Sequence, residues 1–283
     1  MTSRYIEIRP DNIPSNGKIS FKNGFPVLSF TISAQDGLLD PASIRIVGEF
    51  GAFSDNLSPT PTSLIAGDNV TMSNRLGIYN VFESLTVRAV KSKMITENIR
   101  HYSKFMNSYL AMTSSLQDQM GHFGQTALIC PNSETFRTSV MESTAGDVPR
   151  TNSFSAHIPC GFVQSGSMIN LRPDAFGGVQ LEFLLQPDAN VLYSETGVAT
   201  GVTECHYELS NLKLTCEVSD IPAGDLTGNE STGVYEFNTV TSLYTSINST
   251  NAQIQYSLAL RNVLSAFLTF MPVTNINTLT ADG

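Results

Sequence analysis

The sequence predicts an all-β sandwich, and three observations carry that prediction. Stretches of apolar–polar alternation recur along the chain, turn residues separate them, and the polarity comes mainly from Ser, Thr and Asn. In the clearest stretch Val179, Leu181, Phe183 and Leu185 alternate with Gln180 and Glu182, and Leu184 is the exception. Farther on, Leu212, Leu214 and Cys216 alternate with Lys213, Thr215 and Glu217. Period-two alternation describes a sheet with one face in a core and the other in water.

The elements follow in order. Residues 1–24 read as an N-terminal arm punctuated by Pro10, Pro14, Gly17 and Gly24, with Tyr5, Ile6 and Ile8 as its grip. Val27, Leu28, Phe30 and Ile32 form a first strand; Gln35-Asp36-Gly37 and Asp40-Pro41 are turn signals. Ile44, Ile46, Gly48 and Phe50 mark a second strand, and residues 51–75 a loop with Ser58-Pro59-Thr60-Pro61 as its breaker. A third β segment covers Gly77 to Val90.

The period then changes. Ile95, Ile99, Tyr102, Met106 and Tyr109 stand at spacings of 4, 3, 4 and 3, the stripe of an amphipathic α-helix over about residues 92–113. Residues 114–150 lack periodicity and read as a long loop, which is commonly functional or packed on a neighbour. Strands follow at Phe154 to Val163, Gly178 to Leu185 and Glu208 to Val218, with a loop over 187–203. Gly224 to Gly233 is a linker. Beyond it Val234 to Phe237, the alternating Ile254, Tyr256, Leu258 and Leu260, and Phe267 to Met271 again read as strands. Many strands with one inserted helix point to a two-sheet sandwich of jelly-roll type.

Composition sets limits on function. The 283 residues can hold one large or two modest domains. Charged residues make up 14% of the chain, below the usual ~25%, and interface cores are depleted in charge. A net charge of −9 argues against a broad nucleic-acid surface. Lys91, Lys93, Arg100 and Lys104 cluster in sequence, but as the solvated side of the helix. No apolar run reaches the ~18 residues of a membrane span. The opening MTSRYIEIRPDN holds no secretory core, so Cys130, Cys160, Cys205 and Cys216 are expected as reduced thiols of an intracellular product.

No motif carries a catalytic, cofactor or metal assignment, and the chain is not expected to be an enzyme. His157 with Cys160, and Cys205 with His206, have the residue types of a zinc site or a Cys–His nucleophile. Neighbours at odd spacing on a strand point to opposite faces, and Pro159 interrupts the first pair, so convergence is disfavoured. Asp118 with Glu134, and Glu182 with Glu217, are the acid pairs open to glycoside hydrolysis. The chain has no Trp for a sugar platform, which weighs against a carbohydrate-binding or glycoside-hydrolysing sandwich.

The succession of strands also resembles a known family. NRLGIYNVFESLTVRAV at 74–90, ITENIRHYSKFMNSYLAM at 95–112, FSAHIPCGF at 154–162, LRPDAFGGVQLEFLLQP at 171–187 and YELSNLKLTCEV at 207–218 are similar to the first jelly roll of double jelly-roll major capsid proteins. That family includes proteins of virophages, polinton-like viruses and related double-stranded DNA viruses. The helix core IRHYSKF at 99–105 and the segment 171–187 carry most of the likeness, which extends over about 20–272.

The resemblance implies residues 25–223 as a first jelly roll, 224–233 as a linker, and 234–283 as the opening strands of a second roll. It implies homotrimeric, pseudo-hexameric capsomers of an icosahedral virion, assembled inside the host cell. Neighbouring capsomers, penton and minor capsid proteins would be the partners. The alternative within the class is a single-jelly-roll penton, a homopentamer in which residues 252–272 complete the one sandwich. The stop at Gly283 departs from the two-roll pattern, so the chain is expected to be the N-terminal part of a longer protein or to receive its second roll from another chain. Tyr5 to Asn16 and residues 51–75, 114–150 and 187–203 would then make contacts between copies.

Overall fold

The computed structural model describes residues 2–268 apart from 23, 36, 56–61, 66–67, 69, 144–149, 195–204, 221–234, 244, 248–250, 252, 256–261 and 267. Eight strands of six residues or more occur among the described residues. They are β1 (Thr2–Ile8), β2 (Val27–Ser33), β3 (Leu38–Ser54), β4 (Phe82–Ala89), β5 (Ile95–Arg100), β6 (Thr151–His157), β7 (Gly178–Leu185) and β8 (Cys205–Asp220).

They pair into two antiparallel sheets. One runs β1–β8–β3–β6 and the other β2–β7–β4–β5. Consecutive strands mostly change sheet, and the central pairs of each are distant in sequence. This is the order of two interleaved Greek keys, a jelly roll. Each sheet turns its apolar residues inward. Leu28, Phe30 and Ile32 of β2, Leu85 and Val87 of β4 and Val179, Leu181 and Phe183 of β7 meet Ile44, Ile46 and Phe50 of β3 and Leu209, Leu214 and Cys216 of β8 in one core. Phe183 packs against Phe82 with ring centroids 4.9 Å apart and edge-on to Phe30 at 6.4 Å.

The spine of the first sheet is β3 on β8, strands of 17 and 16 residues. Their register runs from Cys205 opposite Ser54 to Ser219 opposite Leu38, with two irregularities. At one, Asn211 takes a left-handed φ of 51° and the ladder skips to Lys213. The extra residue sets Leu212 down over Gly48, where an added Cβ would stand 2.8 Å from Leu212 Cδ2 and 3.1 Å from Phe154 Cζ. At the other, Asp40-Pro41 lies inside β3 instead of ending it. Asp40 Oδ1 accepts the Ala42 N–H, and Ser43 Oγ donates to the Asp40 carbonyl and accepts the Glu217 N–H. Proline is tolerated there because the bulge does not ask for its missing donor.

Three expectations need correction. Residues 2–8 are not a free arm: β1 pairs with Leu214 to Asp220 of β8. Asp11 and Asn12 then bond the edge of β2, through Asp11 N to the Ser29 carbonyl, Asn12 Nδ2 to the Val27 carbonyl and Ser29 N to Asn12 Oδ1. Lys18–Ile19 returns to pair with Leu209 and Ser210. The edges of two sheets hold backbone donors and acceptors that need partners, and the N-terminal segment supplies them.

The helix is also shorter than its stripe. α1 is Tyr102–Thr113, whereas Ile95 and Ile99 belong to β5 and pair with β4. A spacing of four keeps two residues on one face of a regular strand as well as of a helix; here the irregularity in the ladder leaves Ile99 buried and Ile95 exposed. His101, at a left-handed φ of 54°, separates the two elements. Residues 51–54 continue β3 and are not loop.

Among the described residues the eight-strand order ends with β8 at Asp220. The described residues beyond 234 lie in no strand or helix. The strand patterns expected at 256–260 and 267–271 fall outside the described residues or touch only Leu268.

Two tests follow. Gly48→Ala should cost about 1–3 kcal/mol in urea unfolding, because Leu212 and Phe154 must move. Removal of residues 2–8 should cost about 2–4 kcal/mol, since Ile6 and Ile8 leave the core margin and the β8 edge loses its partner. A free arm would leave the midpoint unchanged.

Candidate functional site

The sequence pairs open to catalysis are held apart. Glu182 sits on the outer face of β7 and bonds Arg88 at 3.7 Å. Glu217 sits on the outer face of β8, in the other sheet. The core separates the two carboxylates. Asp118 is used locally: its carboxylate accepts from Ser115 N and Oγ in the capping box of the short helix Leu116–Met120, and those bonds hold it below the usual carboxylate range. The Glu134 side chain lies outside the described residues.

The basic residues do not share a helix face. Lys91 and Lys93 occupy the turn between β4 and β5, where Lys91 Nζ donates to the Asp174 carbonyl. Arg100 ends β5, and Lys104 is half-buried on α1, where burial lowers its pKa against the pull of Glu83. Among the described residues no three His, Cys, Asp or Glu side chains are placed to share a metal ion. No described helix is long and apolar enough to cross a membrane.

Three of the four thiols are inert by burial. Cys160, Cys205 and Cys216 are buried and Cys130 is intermediate. Burial pushes the Cys205 and Cys216 thiols up to about 12, and burial followed by the nearby Glu97 charge pushes Cys160 up as well.

Two clusters remain at the margins of the roll. The first surrounds His206, whose side chain is 3% exposed. Its Nδ1 lies 2.8 Å from Asp55 Oδ2 and its Nε2 3.5 Å from Glu208 Oε1. Lys22 Nζ reaches the same Asp55 oxygen at 2.7 Å, and Lys18 Nζ reaches Glu208 Oε2 at 2.7 Å. Phe53 stacks on the imidazole at 5.4 Å, and Asp188 accepts the Tyr207 N–H. Burial disfavours charge on His206, but the hydrogen bonds to Glu208 and Asp55 and their negative charge outweigh it, so the pKa is raised. The Glu208 pKa is lowered by the bond to His206, against burial, with help from Lys18. The cluster ties the N-terminal segment to the far end of the β3–β8 pair.

The second cluster centres on Glu97 of β5, 3% exposed on the inward face. Its carboxylate accepts three backbone N–H groups: Gly161 at 3.0 Å, Phe162 at 2.9 Å and Val240 at 2.8 Å. A buried carboxylate is tolerated only when so partnered. The third donor comes from residues 235–242, which lie across this margin. Tyr235 Oη accepts the Asn170 N–H at 2.6 Å and its ring stands edge-on to Phe176. Phe237 stands edge-on to Phe162 at 5.8 Å, and Ser242 Oγ donates to the Arg100 carbonyl. Sequence reading missed Glu97 because residues 95–100 read as helix. As a strand, Glu97 shares the inward face with Ile99, and a lone carboxylate there is the signal.

The expected contact loops are partly folded. Residues 114–143 hold short helical segments with Ile129, Phe136 and Met141 buried, and Val70–Met72 pairs with Leu192–Ser194. Met112, Leu116 and Met120 are more than half exposed. Residues 195–203 and 144–149 lie outside the described residues.

No family model and no curated protein matches the chain. Among solved structures, it is similar to the PBCV-1 VP54 crystal structure fitted into a reconstruction of the virophage Sputnik: 14% identity, TM-score 0.42, covering 77% of this chain and 43% of that one. It is similar to the mavirus major capsid protein at 12% identity and TM-score 0.43, covering 79% and 48%. For the Faustovirus major capsid protein the values are 9%, 0.40, 78% and 55%. The chain spans about half the length of these solved chains.

Native-state alkylation should modify at most Cys130, with the other three thiols labelled only after unfolding; labelling of a second thiol in the native state would contradict their burial. The His206 bonds contribute fully below the ordinary histidine value of 6.5 and fade as pH rises through the raised folded value. The Glu208 contribution is present above 4.5 and fades as pH falls through its lowered value. His206→Gln should therefore cost about 1–3 kcal/mol near pH 6, and the difference from wild type should shrink toward alkaline pH in thermal melts.

Proposed function

We propose that the chain is a structural subunit of a viral shell and acts as the first roll of a double jelly-roll major capsid protein. The observation that supports this reading is that the eight strands described in the two sheets end at Asp220, with more strand-patterned sequence after it, at 253–260 and 267–271. A single-roll penton would need residues 252–272 inside the first sandwich. The residues expected of the family, at 99–105 and 171–187, supply the β5–α1 junction and the turn leading into β7.

The work such a subunit does is geometric. A stiff sandwich forms the wall, and the insertions after α1 and around residues 62–72 make lateral contacts. The exposed Met112, Leu116 and Met120 suit that use, since exposed apolar clusters mark interaction surfaces. Many weak interfaces acting together then stabilise a symmetric shell. Homotrimeric capsomers in the virion, with neighbouring capsomers, penton and minor capsid proteins as partners, are the assembly this reading implies. It requires no catalysis and no cofactor.

Native mass spectrometry of the chain, with electron microscopy of the same sample, tests the reading. The expected result is a trimer of 30.7 kDa subunits or larger shells built from it. A pentamer would turn the assignment to the penton. A monomer that persists at high concentration would remove the shell reading and return the carbohydrate-binding class.

A further inference from the structure

The Glu97 margin has the features of a peptide-recognition site. Residues 235–242 are seated there by side-chain and end-on contacts outside the two sheets. The floor is matched to them at close range. An added Cβ at Gly161 would lie 1.6 Å from the Asn238 carbonyl oxygen. Gly161 does not need its glycine for a left-handed φ, since it is absent from the positive-φ residues. The passage of the segment over it accounts for the missing side chain.

The contacts define a spacing. A phenol meets the Asn170 N–H, an aromatic ring two residues on meets Phe162, a main-chain N–H three residues later meets Glu97, and a hydroxyl two residues beyond meets the Arg100 carbonyl. Alternate residues face the protein, since Tyr235 and Phe237 are half-buried while Glu236 and Asn238 are exposed. This is how an extended peptide is read.

We infer that the groove over Gly161, bounded by Phe162, Phe176 and Glu97, recognises an extended segment of the form Tyr-x-Phe-x-x-Val-x-Ser, and that residues 235–242 of a second copy can fill it in place of the chain's own. The sequence connecting β8 to this segment, residues 221–234, is 14 residues long and contains Gly224, Gly228 and Gly233. Such a length reaches ~45–50 Å when extended, enough to pass the segment to a neighbour. Exchange of an identical element needs no new complementarity, because each copy offers the groove the other already fits. The inference concerns recognition by one chain and holds whether or not the chain builds shells.

The test uses a fluorescent peptide of residues 234–243 and the full chain carrying Tyr235→Ala and Phe237→Ala, which loosens the resident segment. Fluorescence anisotropy should show saturable binding to this variant and about tenfold or weaker binding to the unmodified chain, whose groove is filled. A peptide with Val240→Pro lacks the N–H that meets Glu97 and should bind about tenfold or more weakly. Adding Gly161→Ala to the chain should abolish binding. The inference is overturned if the variant keeps its circular dichroism and binds no peptide, or if the proline peptide binds as well as the original. On the unmodified chain, a peptide with a photo-crosslinker in place of Leu243 should mark residues near Arg100; marks scattered over the surface would equally overturn it.

Discussion

The long antiparallel pair of β3 and β8 is the constraint on which the rest of the structure depends. Both strands are roughly three times the usual strand length, and a twisted pair that long must bend to stay packed on the opposite sheet. The two bulges supply the bends. One absorbs Asp40-Pro41 within β3, and the other uses left-handed Asn211 to lay Leu212 over Gly48. With the pair in register, β1 and β6 have edges to join, and β2–β7–β4–β5 has an apolar face to cover.

The margins of the sandwich are closed by polar contacts, each suited to what it must satisfy. On the side of β8 and β2 the demand is for backbone partners, and the segment from Thr2 to Ile19 meets it by crossing from one sheet to the other and back. At the Ser54–Cys205 end the demand is for charge balance. His206, Asp55 and Glu208 are shielded from water, and Lys18 and Lys22 balance them from outside. At β5 one buried carboxylate gathers three N–H groups from two distant segments. Low surface charge and charged, well-bonded margins are compatible, because the charges sit where elements must be joined.

Legibility followed the range of the contacts involved. Val179 to Leu185 and Leu212 to Cys216 could be read as half-buried strands because alternation is local and the core enforces it. The β5–α1 stripe misled because Ile95 and Ile99 satisfy a helix and a strand equally; the β4 ladder and the left-handed His101 decide between them. Pro10, Pro14 and Gly17 signalled an arm, yet the same residues let the chain cross between sheet edges. Asp40-Pro41 signalled a turn, but the longer ladder carried the strand past it. Of the two charged clusters, only His206 was noticed in sequence; its partner Asp55, and the Lys22 and Lys18 that bond Asp55 and Glu208, are far away along the chain.

The sequence by itself determined the fold class, most strand positions inside the roll, the absence of any recognisable catalytic motif and the low charge that suits a surface covered by neighbours. These follow from patterns a few residues long. The tertiary structure alone decided which strands pair, that β1 is part of the roll, that among the described residues β8 is the last strand of the two sheets, and that Glu97 takes the Val240 N–H of the segment 235–242. Each of these joins residues tens to hundreds of positions apart. Their partners are selected by the shared demand to bury apolar faces and leave no backbone group or charge unpaired, which acts on the whole chain at once.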